Sequence, residues 1–321
     1  MTTVQKSWLR EDHPGAPPVE FPLVDVVGGP GPTVAIVAGM HPGEYAGVLA
    51  AGQLARELAA ADRPVKGRVI IIPILSTQAF FQRAIQLSPI DEQEPHYVWP
   101  GNPGGTYTEH LVDLLFRAIE SSDAVLDLHG GEFTQDLTPY VGTPWEGDGS
   151  LYDRSVELAS AFEVPFADKR AVAETANALP RALNAKGIAN IWTEIGRNGL
   201  PEPEMVRLQY EGCANALRLL GLLEGKAIRY EQRLVGPRHW SVHAARSGVW
   251  IPAVHAGDHV SEGDVLGRLY DVFGAELEVF RSPADSLAEY VCTSPAINVD
   301  RQPFGNHWHQ HLAQLVEDPQ Y

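Results

Sequence analysis

Val34-Ala-Ile-Val-Ala-Gly-Met-His-Pro-Gly-Glu-Tyr45 is an apolar, β-branched run that stops at a glycine; a histidine and a glutamate then follow, three residues apart. A short continuous apolar run of this kind reads as a buried strand. The end of a buried parallel strand is where α/β proteins place their ligand sites. A neutral imidazole and a carboxylate are nitrogen and oxygen ligands that zinc accepts. One His-x-x-Glu is common by chance, so His41 and Glu44 need a companion. Val125-Leu-Asp-Leu-His-Gly-Gly131, a second apolar strand ending in a histidine, supplies it. His41, Glu44 and His129 would make two histidines and one carboxylate, with a fourth position open for water.

The rest of the chain surrounds these strands with a repeating pattern. Thr33–Ala38, Arg68–Ile74, Ala124–Leu128 and Ala189–Thr193 read as buried strands, separated by amphipathic helices. Glu44–Asp62 is rich in Ala and Leu. Thr108–Ser121 sets Leu111, Leu114, Leu115, Ala118 and Ile119 on one face. Pro201–Glu224 starts with prolines and acids and ends near a glycine, as helices do. Alternating strands and helices predict an α/β fold: a mainly parallel mixed sheet with helices on both faces. Residues 1–20 are polar and proline-containing and read as a loose N-terminal arm. Residues 21–234 form the expected catalytic domain. Thr77–Gly105 shows no period, and a long loop inside a compact domain is usually functional.

Residues 235–321 read as a small all-β, barrel-like module, with short strands at Ser247–Pro252, Asp264–Tyr270 and Glu276–Phe280. Ala256-Gly-Asp-His-Val-Ser-Glu-Gly-Asp-Val-Leu-Gly267 is similar to half of a lipoyl- or biotinyl-type barrel. Such carriers need a lysine at a hairpin tip, and no lysine follows Lys226. The module is therefore expected to be structural, or a lid over the first domain. His307, His309 and His311 lie in a polar tail and read as structural or solvent-facing.

A formal net charge of -17 argues against nucleic acid and anionic membranes as partners, since both call for clustered positive charge. Cys213 and Cys292 make neither a disulfide framework nor a CxxC site. The first ten residues lack a signal-peptide apolar run, and no stretch approaches the roughly 20 apolar residues of a membrane helix. A cytoplasmic protein acting on a small molecule is expected, with a homo-oligomer left open.

Three pieces in order, Gly39-Met-His-Pro-Gly-Glu44, Asp127-Leu-His129 and Asn190-Ile-Trp-Thr-Glu-Ile-Gly196, resemble the succinylglutamate desuccinylase/aspartoacylase family of the zinc carboxypeptidase-like superfamily. The resemblance covers nearly the whole chain, including the C-terminal β module. It implies one zinc per chain, held by His41, Glu44 and His129, and a general base at Glu194, which ends the third strand. Asp127, on the same side of its strand as His129, is expected to support the site. Glu132 reads as ordinary loop surface. The resemblance implies hydrolysis of an amide bond in a small N-acylated amine or amino-acid-like substrate. The alternatives are a carboxypeptidase-like peptidase, or a zinc- or metabolite-binding protein with impaired catalysis.

The family's Arg-x-x-Pro-x-Asp and Asn-Arg-x-Phe-Pro-Gly become Gln86-Leu-Ser-Pro-Ile-Asp91 and His96-Tyr-Val-Trp-Pro-Gly101 here. In relatives those arginines stabilise the oxyanion and grip a substrate carboxylate. Gln86, His96 and Tyr97 cannot replace a guanidinium fork one for one. Arg83, Arg181 and Arg197 are the candidates to supply the missing charge. Otherwise the substrate lacks a carboxylate at that position.

Overall fold

The computed structural model describes residues 2–60, 64–146, 149–171, 178–235, 239–299 and 311–317. In chain order the first strands are β1 (Thr3–Glu11), β2 (Val19–Val27), β3 (Gly29–Ala38), β4 (Lys66–Ile72) and β5 (Ala124–His129). After them come β6 (Gln135–Leu137), β7 (Tyr140–Trp145), β8 (Phe166–Ala171), β9 (Ala189–Glu194) and β10 (Arg233–Val235). All but β6 join one nine-stranded sheet in the order β1-β2-β4-β3-β5-β9-β7-β8-β10. The pairs from β4 through β3 and β5 to β9 are parallel, as are β7–β8 and β8–β10; β1–β2, β2–β4 and β7–β9 are antiparallel. The sheet is thus mixed and mainly parallel, as its apolar strands predict.

Two apolar cores lie on opposite faces of this sheet. α1 (Tyr45–Leu58), α4 (Ser150–Ala159) and α6 (Pro203–Leu219) pack with Leu126, Leu128 and Ile191 on one face. α3 (Tyr107–Ile119) and α5 (Leu179–Ala185) pack with Val125 on the other, and the short α2 (Thr77–Gln82) falls inside the aperiodic loop. The start of α3 is capped twice: Thr106 Oγ1 accepts from Glu109 N–H, and the Glu109 carboxylate accepts from Thr106 N–H. Asp91 accepts from both the backbone and the hydroxyl of Thr108, at 2.7 Å each, and so ties the long loop to that helix.

The N-terminal stretch expected to be loose is ordered. Residues 3–11 form β1, an edge strand paired with β2 from Thr3↔Val27 to Glu11↔Val19. Its polar composition suits an edge, and Glu11 is anchored by a two-pronged contact with Arg117 at 2.9 and 3.1 Å.

The remaining strands are β11 (His239–His243), β12 (Gly248–Pro252), β13 (His259–Val260), β14 (Val265–Tyr270), β15 (Glu276–Arg281), β16 (Ser286–Cys292), β17 (Ala296–Ile297) and β18 (His311–Glu317). They form two antiparallel sheets over a core centred on Trp250, Leu266, Leu269 and Leu315. β6, which follows β5 in the chain, adds to this second unit by pairing with β16. Thr138 N–H donates to the Glu289 carbonyl and Thr293 N–H to the Thr134 carbonyl, so the two parts are stitched together beside the end of β5.

Between β7 and β9 the ring of Trp192 lies flat against Gly142, where an added Cβ would stand 1.9 Å from a ring carbon. Gly142→Ala is expected to lower stability by about 1–3 kcal/mol through this overpacking. Urea denaturation measures it, and a loss below about 0.5 kcal/mol would show that the ring is not fixed there.

Candidate active site

Parallel register brings the chemistry together. β5 lies between β3 and β9, and His129 is paired directly with Glu194. Alternation along β5 puts Asp127 and His129 on the side of Val125. Gln209 of α6, fully buried, clamps the strand ends by donating to the carbonyls of His129 and Ile195 at 2.8 and 3.1 Å. Beside β5, the chain leaves β3 through Gly39, whose φ of +65° suits a glycine. It then presents His41 before reaching Glu44, the residue that precedes the first turn of α1.

His41, Glu44 and His129 meet in a buried cluster. His41 Nδ1 is 2.7 Å from Glu44 Oε1, His129 Nδ1 is 3.0 Å from Glu44 Oε2, and the two Nδ1 atoms are 3.2 Å apart. Ligands about 2.0–2.1 Å from a tetrahedral zinc stand about 3.3 Å from one another, so the donor set and its spacing fit such an ion. The far nitrogen of each ring meets an acid: His129 Nε2 is 2.9 Å from Asp127 Oδ2, and His41 Nε2 is 3.3 Å from Glu94 Oε1. Carboxylates in these places fix ring orientation and raise ligand basicity. Burial works against charge on either ring, but the neighbouring carboxylates outweigh it and hold both histidines above the usual imidazole pKa. Glu44 is pulled down to about 2, the two histidines outweighing its burial. Glu94 was not picked out in the sequence, since an acid in an aperiodic loop carries no signal of its role.

Glu194 opens onto the same cavity, of about 220 Å³. Burial lifts its pKa to about 8, and the nearby Glu44 charge adds to the rise. Gln86, His96 and Tyr97 also line the cavity. His96 is half-buried, with its ring 6.0 Å from those of both His41 and His129, and desolvation lowers its pKa to about 4. It is therefore neutral at pH 7. Arg83 and Arg181 are exposed and lie outside the cavity wall, and Arg197 is drawn to Asp136 and Glu202 at 3.6 and 3.9 Å. Arg170 of β8 lines the cavity instead, paired with Asp168. It is the one lysine or arginine to do so among the described residues.

Glu132 and His311 sit differently from the sequence expectation. Glu132 is not loop surface: it is 1% exposed, and its Oε1 accepts from Gly43 N–H at 2.9 Å, bracing the loop that carries Glu44. His311 belongs to β18 rather than to a polar tail. It is buried, lines the cavity and stacks on Tyr290, while burial lowers its pKa to about 3. His307 and His309 lie outside the described residues.

The catalytic-domain model of succinylglutamate desuccinylases and aspartoacylases matches residues 30–220. This chain belongs to that family. An N-alpha-acetyl-L-2,4-diaminobutyric acid deacetylase from Halomonas elongata is 32% identical over 259 residues, covering 79% of this chain and 75% of the relative. A product-bound structure of the ectoine utilization protein EutE (DoeB) from Ruegeria pomeroyi shares the fold, with a TM-score of 0.87 and 24% identity over 98% of this chain and 95% of that one. A succinylglutamate desuccinylase/aspartoacylase from Rhodobacter sphaeroides superposes with a TM-score of 0.82 at 27% identity, covering 99% and 96%. Among the described residues no helix is long and apolar enough to cross a membrane.

Burial, followed by the Glu44 charge, lifts the Glu132 pKa from 4.5 to about 7, even though His41 and the bond from Gly43 favour the charged form. The folded state then holds a proton that the unfolded state releases, so stability falls as pH rises from about 4.5 to 7. Glu132→Gln keeps the acceptor for Gly43 without that cost. It should raise stability at pH 8 by about 1–3 kcal/mol relative to its effect at pH 5. A pH-independent difference in denaturation midpoints would contradict this.

Proposed function

We propose that this protein is a zinc-dependent deacylase that hydrolyses the amide bond of a small N-acylated amino acid, with one zinc per chain. The observation that carries the reading is the meeting of His41, Glu44 and His129 with Glu194 from the adjoining strand in one small cavity. The family and the Halomonas elongata relative support an acyl amino acid as the substrate class. His41, Glu44 and His129 would hold the metal, which when bound supplies Lewis acidity and lowers the pKa of water to about 7.

The side chains divide the remaining work. Glu194 takes the proton of the attacking water as its oxygen bonds to the acyl carbon. It then delivers that proton to the amine nitrogen as the C–N bond breaks, releasing a carboxylic acid and an amine. A carboxylate lifted by burial suits both halves of this transfer. Asp127 and Glu94 hold the two imidazoles in orientation. His96, which lines the same cavity with its Nδ1 unpartnered, would offer a hydrogen-bond donor to the developing oxyanion. Gln86 stands where relatives carry a charged group for that purpose.

Glu194→Gln preserves volume but cannot accept the proton. The variant should bind zinc as the wild type does and lose about 10²–10⁴-fold in turnover of N-acetyl amino acids. Steady-state kinetics with metal analysis of the same samples checks this. Turnover within threefold of wild type would remove Glu194 from the mechanism.

A further inference from the structure

Part of the cavity wall is carried on β7 and β8, and the register of these strands sets out its residues in order. Tyr140 pairs with Phe166, Gly142 with Asp168 and Pro144 with Arg170. Paired residues share a face, as do residues two apart on a strand, so Tyr140, Asp168 and Arg170 stand on one side. On its other flank Tyr140 pairs with Glu194, the proton carrier of the hydrolytic steps. Neither Tyr140 nor Arg170 has a part in those steps, yet both line the cavity.

The guanidinium is held in place and left with donors to spare. Arg170 Nη2 donates to the carboxylate of the fully buried Asp168. Gly142 leaves room for the Trp192 ring, and the guanidinium carbon lies over that ring, 5.9 Å from its centre. Arginine combines such contact with an aromatic face with a fork of five donors. Nε and Nη1 make no hydrogen bond to another described residue, and the side chain, 26% exposed, opens to the cavity. The Tyr140 hydroxyl likewise bonds to no other described residue, while its ring is stacked on Phe166 at 5.3 Å. Burial lifts its pKa well above the ordinary tyrosine value, so it keeps its proton and is a donor at neutral pH.

The charges of this wall leave room for an anion. Burial works against the Asp168 charge, but Arg170 outweighs it, so the two balance. Glu289 lines the same cavity from β16, as the extra residue of a bulge: Ala288 pairs with Leu315 and Tyr290 with Gln314. Burial lifts its pKa to about 7, so it takes up a proton readily as an anion approaches. Burial opposes charge on His239 too, but Asp168 prevails and raises its pKa.

We propose that Arg170 and Tyr140 together bind the α-carboxylate of the N-acyl amino acid, in place of the loop arginines that relatives use. This rests on the deacylase reading and adds to it the residues that recognise the acid. The carboxyl carbon of such a substrate lies two bonds from the nitrogen to which Glu194 delivers its proton. Directly paired residues on neighbouring strands have Cβ atoms about 5 Å apart, which sets Tyr140 at a matching remove from Glu194.

N-acetyl-L-norvaline and N-acetyl-L-norvalinamide differ only in a carboxylate against a neutral amide of the same shape. The zinc-loaded wild type should favour the acid by at least about 30-fold in kcat/KM. Arg170→Gln alone would strand the buried Asp168 carboxylate, so it is combined with Asp168→Asn. The double variant should bring the ratio to within about threefold, and Tyr140→Phe should reduce it about fivefold. Purely structural roles would lower both values and leave the ratio unchanged, which would overturn the proposal, as would a wild type that hydrolyses the amide as well as the acid. Calorimetric binding of the two compounds to zinc-loaded Glu194→Gln separates recognition from turnover. The acid should bind at least about tenfold tighter, and adding Arg170→Gln with Asp168→Asn should abolish that advantage. An advantage that survives would mean that another group, the metal included, reads the carboxylate, and would refute the proposal, as would equal binding at the outset. The expected binding pattern in a protein whose wild type hydrolyses neither compound would count against the deacylase reading alone and leave the carboxylate grip standing.

Discussion

The parallel register of β3, β5 and β9 is the constraint on which the site depends. Neighbouring strands stand about 4.8 Å apart, so side chains at three adjacent strand ends are within reach of one another without long-range adjustment. His129 faces Glu194 across a single strand pair, and the turn after β3 brings His41 and Glu44 alongside. A slip of one residue in β5 would send His129 to the face packed by α1 and α6. The buried Gln209, bonded to the carbonyls at the ends of β5 and β9, guards against that slip from below. Acids on both imidazoles and the Glu132 brace beneath Gly43 extend the same logic outward.

A second layer completes the cavity. The C-terminal unit joins the sheet region through β6 and β16, and it supplies Glu289, Tyr290, His311 and Gln314 to the cavity. It forms part of the cavity wall. Within that wall Tyr290 stacks on His311, and His311 on His243. The cavity is thus lined both by the ends of the central sheet and by the C-terminal unit.

Much of this was readable in advance, for physical reasons. β3, β5 and β9 are buried on both faces and so read as unbroken apolar runs, and α1, α3 and α6 show strong helical periodicity. His41, Glu44, His129 and Glu194 stood out because they end such runs. β1 was hidden because an edge strand half exposed to water has no apolar signature. Glu94, Arg170 and Glu289 were hidden because their surroundings come from segments far apart in the chain. Glu289 in particular needs a bulge that no alternation pattern announces. Arg83 and Arg181 drew attention by type and by nearness in sequence, but their helix positions leave them on the outside.

X-ray absorption at the zinc edge, on protein loaded with one equivalent of zinc, tests the central claim most directly. The account predicts a first shell of nitrogen and oxygen at about 2.0–2.1 Å, with outer-shell scattering from two imidazoles that falls to one in His129→Ala. Sulfur in the first shell, failure of the wild type to retain zinc, or a spectrum unchanged by His129→Ala would contradict it.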